Sequence, residues 1–209
     1  HWRWRLRLDS LILKHRKFFL LALLIVIIDQ AVKLLVHFNM AMGPAGEITL
    51  LGNWFKLHYI LNKGMAFGMS FGSVYGKLFL TIFRLSAIGA IAYLLIFVSR
   101  RGYPKGLSWS IAIILGGAIG NLVDSIFYGV WLQNAPYNAI TPWFHGQVVD
   151  MLYLDIWEGY LADWVPLWGG KKIALLPIFN LADVAIFVGV VLILLRQKAY
   201  LKLDSLPNR

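Results

Sequence analysis

The stretch PIFNLADVAIFVGVVLILLRQK, residues 177–198, is apolar enough to cross a lipid bilayer, yet it holds a carboxylate, Asp183, just inside its first end. A spanning helix needs about 20 predominantly apolar residues. An ionised carboxylate in hydrocarbon costs from about 2.5 kcal/mol upward. Such residues face a bundle interior or a wet cavity and mark functional sites by default.

Three further stretches of the same kind precede it, at residues 18–38, 78–98 and 107–127, and the fourth is taken as 177–195. The predicted fold is therefore membrane α-helical: a four-transmembrane-helix bundle with a small outer-face β-sheet and a long aromatic-rich outer loop. A signal peptide is the alternative for 18–38, but the apolar run is too long and no small-residue cleavage site follows it. Composition agrees with a membrane protein. Hydrophobic residues make up 59% and charged residues 14%, against about 45–50% and about 25% in soluble domains. With no cysteine there is neither a disulfide framework nor a thiolate site.

The net charge of +10 raises nucleic acid as a partner, and its distribution answers the question. Lys14, Arg16 and Lys17 precede the first span, Arg100, Arg101 and Lys105 join the second to the third, and Arg196, Lys198 and Lys202 follow the fourth. These are topology signals, and no single basic face forms. The positive-inside rule puts all three segments in the cytoplasm, so both termini lie inside and residues 39–77 and 128–176 lie outside. Residues 1–10 are expected to stand apart from the fold, as an appended remnant or a disordered cytoplasmic tail. Residues 11–200 are expected to form one four-span domain, and 201–209 a cytoplasmic tail.

In the first outer segment Phe55, Leu57, Tyr59 and Leu61 alternate with Lys56, His58, Ile60 and Asn62. That period-two pattern predicts a half-buried strand. The second outer segment carries Trp131, Trp143, Trp157, Trp164 and Trp168 with Tyr137, Tyr153 and Tyr160, rings suited to headgroup level. Pro136, Pro142, Pro166, Gly169 and Gly170 argue against long helices there.

A rise of about 1.5 Å per residue places the polar groups in depth. Asp29, Asn121, Asp124, Arg84, Asn180 and Asp183 all come out in the outer half of the membrane, from four independent spans. Asp29 and Lys33 are four apart in DQAVK and can pair on one helix face, or Lys33 can pair across the bundle. NLVD (121–124) and NLAD (180–183) repeat Asn-x-x-Asp at i and i+3. Gly116, Gly117 and Gly120 permit close helix packing, which is their plainer reading.

Asp150 lies in QVVDML between apolar neighbours, whereas Asp155, Glu158 and Asp163 read as solvated loop acids. His145 with several carboxylates admits a metal reading, but no His-Glu-x-x-His spacing occurs, and no metal is expected. No serine lies in a nucleophile elbow or beside a plausible base, so covalent catalysis has little support. Two carboxylates remain. If Asp150 and Asp183 approach within a few Å they share one proton; the ionised member can then activate water while the protonated one bonds the substrate carbonyl.

Five motifs in order, DQAVK, NKGMAFG, GGAIGNLVD, GQVVDM and FNLADVAI, resemble those of the lipoprotein signal peptidase (signal peptidase II) family of the bacterial cytoplasmic membrane. The resemblance covers about residues 18–196. It implies a membrane-embedded aspartic endopeptidase that removes the signal peptide of a prolipoprotein just before its diacylglyceryl-modified cysteine. It also implies a site on the periplasmic side in contact with membrane lipid, no metal or organic cofactor, and inhibition by globomycin. By motif, Asp150 and Asp183 match the catalytic pair. Asn180, Asn121 and Asp124 match site-lining residues, Asn62 the polar residue of the first outer loop, and Asp29 and Lys33 the span-one motif. Ser125 stands where the family carries an arginine, for which Arg84 or Lys63 are the candidate replacements. Met151 replaces a common aromatic, and residues 131–145 lengthen the second outer loop. The competing readings are a proton-coupled transporter, which calls for polar residues spread through the membrane depth and inverted repeats, and a non-catalytic scaffold whose acids only join helices.

Overall fold

The computed structural model describes residues 2–62, 75–160, 162–166, 169–170 and 172–201, and the side chains of all of these except 2–14, 172, 173 and 201. Lys63, Trp168 and the NKGMAFG motif beyond Asn62 lie outside the described residues. Helix α1 (Trp2–Asn39) leads into strands β1 (Ile48–Leu51) and β2 (Phe55–Asn62). Helices α2 (Gly76–Arg100) and α3 (Lys105–Val123) follow, and α3 runs on through a π-helical turn (Asp124–Tyr128) into a short α4 (Gly129–Trp131). Strands β3 (Val148–Leu154), β4 (Glu158–Tyr160) and β5 (Lys172–Ala174) precede the last helix, α5 (Leu181–Leu201). Helix α1 is continuous through residues 2–10, which the sequence reading set apart from the fold.

Three helical segments, His15–Asn39, Gly76–Arg100 and Lys105–Trp131, are long and apolar enough to cross a membrane. The third is the axis of the bundle: 61% of its apolar window is buried, against 22% and 17% for the other two. It packs against α1, α2 and α5. The outward faces of α1 and α2 are apolar and exposed, with Leu20, Leu23, Leu24, Ile27, Phe79 and Phe83 among them. A helix can present such a face to lipid because its backbone polar groups are satisfied within it.

Glycines let the central helix be approached on two sides. A Cβ on Gly116 would lie 2.8 Å from the Ala22 carbonyl oxygen of α1, and one on Gly117 would strike the Ala182 carbonyl oxygen of α5. Gly120 leaves room for the Asp29 carboxylate, whose Oδ2 would sit 2.6 Å from an added Cβ. The first two are packing residues, as the plainer reading holds; Gly120 in addition admits a site carboxylate. Gly117→Ala is accordingly expected to push α5 away and lower stability by about 1–3 kcal/mol, read as a lower unfolding temperature in detergent. An unchanged transition would remove close approach as the reason for the glycine.

The predicted strand at 55–62 is β2. It is the middle strand of an antiparallel sheet of order β1-β2-β3. β3 is an element that the sequence reading left inside the aromatic loop. In the β2–β3 register Ile60 faces Asp150 and Asn62 faces Val148. Tyr59, Val149 and Met151 pack under the sheet with Val36 and Tyr128, and a second core of Phe18, Ala22, Leu95, Val98, Ile111, Ala112 and Leu115 fills the opposite end of the bundle.

The fourth apolar stretch does not become helical at Pro177. Its first residues are extended, and Phe179 forms a bridge with Leu152 of β3, with Leu152 N–H donating to Phe179 O at 2.7 Å and Phe179 N–H to Leu152 O at 3.0 Å. The helix starts at Leu181. This backbone pairing, with the cap that Asn180 forms, wins over the apolar periodicity of residues 177–180.

Among the described residues of the aromatic loop no long helix forms, in keeping with its prolines and glycines; β4 and β5 pair as a small two-stranded sheet. Residues 131–145 are tied at their base. Asn134 Nδ2 donates to Gln147 O at 2.9 Å, Gln147 N–H donates to Asn134 Oδ1 at 3.0 Å, and Gln147 Nε2 donates to Asn134 O at 2.6 Å. Trp131, Trp143, Trp157 and Trp164 are exposed, whereas Tyr153 is buried.

Candidate active site

The first turn of α5 is built by the NLAD motif as a reciprocal cap. Asn180 Oδ1 accepts the Asp183 N–H at 3.0 Å, while Asp183 Oδ2 accepts the Asn180 N–H at 3.3 Å. This is the capping-box exchange, with Asn and Asp in the two roles. The partial positive charge of the helix start therefore faces the Asp183 carboxylate. The similar NLVD motif behaves differently. Its amide and its carboxylate both turn away to other elements, and Asp124 opens the π-helical turn, an irregularity common at functional sites.

Asn180 joins the two aspartates that the sequence singles out. Its Nδ2 donates to Asp150 Oδ1 at 2.6 Å and to Asn121 Oδ1 at 3.1 Å, so both hydrogens and the oxygen of this buried amide are in use. Asp150 also accepts from Asn62 Nδ2 at 2.9 Å on its other oxygen, which follows from Asn62 lying diagonally across the β2–β3 ladder. Asn121 Nδ2 donates to Asp183 Oδ1 at 2.8 Å. Asp150 is 1% exposed. Burial pushes its carboxyl up to about 7, the neighbouring Asp183 charge adds to the push, and the bonds from Asn62 and Asn180 oppose it.

Behind this pair lies a charged support. Lys33 uses its three donors on Asp29 at 2.8 Å, Asp124 at 2.9 Å and Asn121 at 3.0 Å. It thus pairs both within its own helix and across the bundle, so the two readings of this lysine hold together. Asp29 Oδ1 accepts the Ala182 N–H at 2.9 Å, tying α1 to the start of α5, and Asp124 Oδ2 accepts the Val149 N–H at 3.1 Å, tying α3 to β3. All eight residues singled out from the sequence, Asn62, Asp150, Asp183, Asn180, Asn121, Asp124, Asp29 and Lys33, belong to one connected network.

Sequence reasoning missed Gln30. Its Nε2 donates to Asp124 Oδ1 at 2.8 Å and to Gly120 O at 3.1 Å, and its Oε1 accepts from Tyr128 OH at 2.8 Å. An amide one residue from a buried carboxylate in an apolar span was the available signal. At Ser125 the guanidinium comes from α2: Arg84 Nη1 donates to Ser125 Oγ at 2.7 Å, and Ser125 Oγ donates to Asn121 O.

The acids read as solvated loop residues divide. Asp155 pairs with Lys56 at 2.8 Å and Glu158 accepts from Tyr153 OH at 2.5 Å, both on the sheet surface, while Asp163 is exposed. Their partners come from β2 and β3, which the loop reading did not bring beside them. His145 is buried and its Nδ1 lies 2.9 Å from Trp143 O. Among the described residues no group of three His, Cys, Asp or Glu gathers in a metal-holding arrangement. A cleft of about 440 Å³, lined by Lys56, His58, Ile60 and Tyr153, opens on the β2 face that also bears Asn62.

The family profile described as signal peptidase (SPase) II matches residues 21–198. The lipoprotein signal peptidase of Amoebophilus asiaticus is 54% identical over 184 residues, covering 88% of this chain and 78% of that protein. That of Porphyromonas gingivalis is 37% identical over 185 residues, covering 83% and 79%. A solved structure described as a bacterial membrane enzyme superposes with a TM-score of 0.58 at 22% identity, covering 92% of this chain and 93% of that one. A second gives 0.56 at 24% identity, covering 89% and 93%. These two show the shared fold. With the profile spanning most of its length and relatives this similar, the chain belongs to the signal peptidase II family and is a multi-pass bacterial membrane enzyme of the aspartic peptidase class.

Proposed function

We propose that this chain removes the signal peptide from diacylglyceryl-modified prolipoproteins, cutting just before the lipidated cysteine with a water activated between Asp150 and Asp183. The observation that carries the reading is the Asn180 amide, which bonds one carboxylate through its nitrogen and caps the turn bearing the other. Asp150, whose burial outweighs the two amide bonds that favour its ionised form, is the member that keeps the proton. Asp183, at the helix start, is the ionised member.

Asp183 takes a proton from water as the water oxygen adds to the scissile carbonyl carbon. The Asp150 hydroxyl donates to the carbonyl oxygen, which becomes the alcohol oxygen of a tetrahedral intermediate. Collapse of that intermediate breaks the C–N bond, restores the carbonyl and returns the proton to Asp150. The proton on Asp183 passes to the leaving amine of the cysteine.

The reading includes a fourth span, α5, and puts the sheet end on the outer, periplasmic side, with both termini in the cytoplasm. Its support is the set of basic residues at the far ends of the helices. Exposed tryptophans at the sheet end then sit at headgroup level, near the acyl chains of the substrate. Globomycin-type inhibitors compete for the same site in this reading.

The test is incubation of the purified enzyme with a lipid-modified prolipoprotein and with its unlipidated form, with products identified by mass spectrometry. The expected product begins at the lipidated cysteine, the unlipidated form is spared, and a chelator changes nothing. Equal cleavage of both forms, or cleavage elsewhere, sinks the assignment. The state of Asp150 adds a pH dependence. Deprotonation above about 7 removes the carbonyl donor, so kcat/KM is expected to fall on the alkaline side with a limb near neutrality. A profile flat to pH 9 contradicts that role for Asp150.

A further inference from the structure

Helices α1 and α2 each lie against α3 more closely than against one another. At the end of the bundle away from the sheet, a groove of about 350 Å³ remains between them. Its lining includes Phe19, Leu20 and Leu23 of α1 and Ile96 of α2, together with one arginine from each helix, Arg16 and Arg100. Along α1, Leu20, Leu23 and Ile27 follow Arg16 at i+4, i+7 and i+11, one face of the helix, and all three are exposed. On α2, which runs the other way, Ile96 and the exposed Tyr93 precede Arg100 at the same first two steps. A rise of about 1.5 Å per residue puts Ile27 about 16 Å from Arg16 along the axis, close to half of a hydrocarbon core about 30 Å thick. The groove therefore has the profile of one leaflet, with cations at its rim and hydrocarbon beneath.

The two arginines lack a counter-charge among the described residues. Every acid whose side chain is described lies in the site network or in or next to the strands, and no ion pair among them includes Arg16 or Arg100. Neighbouring cations are engaged with rings: Lys17 lies 5.1 Å from the centre of Phe18 and 5.5 Å from that of Trp109, and Arg101 lies 4.9 Å from that of Phe97. Sidedness requires only that basic residues stand at this end. It does not require guanidiniums from two helices at one apolar groove. A guanidinium fork matches phosphate oxygens bidentately, and basic pockets between spanning helices bind anionic headgroups.

We propose that this groove binds an anionic phospholipid, with its phosphodiester held between Arg16 and Arg100 and an acyl chain lying on Leu20, Leu23 and Ile96. The lipid fills the gap between α1 and α2 and stabilises the bundle by mass action. The site lies at the opposite end from the aspartates and does not depend on the dyad reading. The orientation proposed above places it in the cytoplasmic leaflet.

The experiment titrates the full-length enzyme in neutral detergent with a phosphatidylglycerol and with a phosphatidylcholine of the same chains, read by thermal unfolding and native mass spectrometry. Phosphatidylglycerol is expected to raise the unfolding temperature saturably and to stay bound as a one-to-one adduct, and phosphatidylcholine to do neither. In Arg16→Gln/Arg100→Gln the half-saturating concentration is expected to rise by at least about tenfold. Should that protein not accumulate, Arg100→Gln alone is expected to raise it about fivefold. Arg196→Gln/Lys198→Gln removes the same charge from the same end, on α5, and is expected to keep the wild-type response. An equal response to the two lipids overturns the proposal. So does an Arg196/Lys198 variant that loses as much as the Arg16/Arg100 one, since surface charge alone would then explain the binding. Glycerol phosphate is the third arm: a shift as large as the lipid's makes the groove a site for free anions and overturns the lipid assignment.

Discussion

Asp150→Asn and Asp183→Asn are each expected to lower prolipoprotein cleavage by at least about 10³-fold, in line with the loss of a positioned acid or base. Asparagine keeps the size of the side chain but can play neither part that the proposed mechanism gives the pair, taking a proton from water or holding one for the carbonyl. At Asp150 both oxygens accept amide hydrogens, from Asn62 and Asn180. An Asn there turns one donor toward another, so unfolding must be followed alongside activity. Asp155→Asn and Asp163→Asn are the matched controls, because one is a surface ion pair and the other is exposed. Both are expected within about twofold of wild type, since exposed pairs contribute little. A cleavage assay with purified variants decides it, and full turnover in either of the first two removes the dyad.

Lys33→Met is expected to be the most destabilising single change in the bundle. It leaves Asp29 and Asp124, 1% and 0% exposed, facing each other without a cation. Removal of one partner from a buried ionic group costs about 3–5 kcal/mol. The loss spreads through the backbone, because Asp29 holds the Ala182 N–H and Asp124 the Val149 N–H. Thermal unfolding in detergent should show a large drop, and adding Asp29→Asn and Asp124→Asn to the variant should recover part of it. A Lys33→Met protein as stable as wild type would mean that the triad is not what joins α1, α3 and α5.

Much of this arrangement was legible in the sequence because a carboxylate in an apolar helix has so few permitted explanations. Depth alone brought Asp29, Asn121, Asp124 and Asp183 to one end, and the alternation in residues 55–62 gave β2. β3 was missed for a physical reason. In VVDMLYL the first four residues are all buried, so both faces are covered there and no clean alternation in sequence survives, and Asp150 interrupts the apolar run that remains. Pro177–Asn180 were assigned to a helix because four apolar or amide residues before a long apolar run do not reveal that a strand lies alongside. The two Asn-x-x-Asp motifs looked equivalent in sequence. Position relative to a helix start separates them: NLAD closes on itself as a cap, whereas NLVD ends a helix and reaches outward. The partnership of Arg84 with Ser125 joins residues on different helices, and spacing along one chain cannot select it from among the basic residues available.

The two-way backbone bonds between Leu152 and Phe179 weld the entry of α5 to β3. Asp150 and Asp183 therefore both lie within one turn of a shared backbone junction, one before Leu152 and the other after Phe179. If the substrate carries the two acyl chains of the proposed function, room for it is expected from parts not fastened to that weld, so ligand-induced movement should be sought in α2 and beside the β4–β5 sheet.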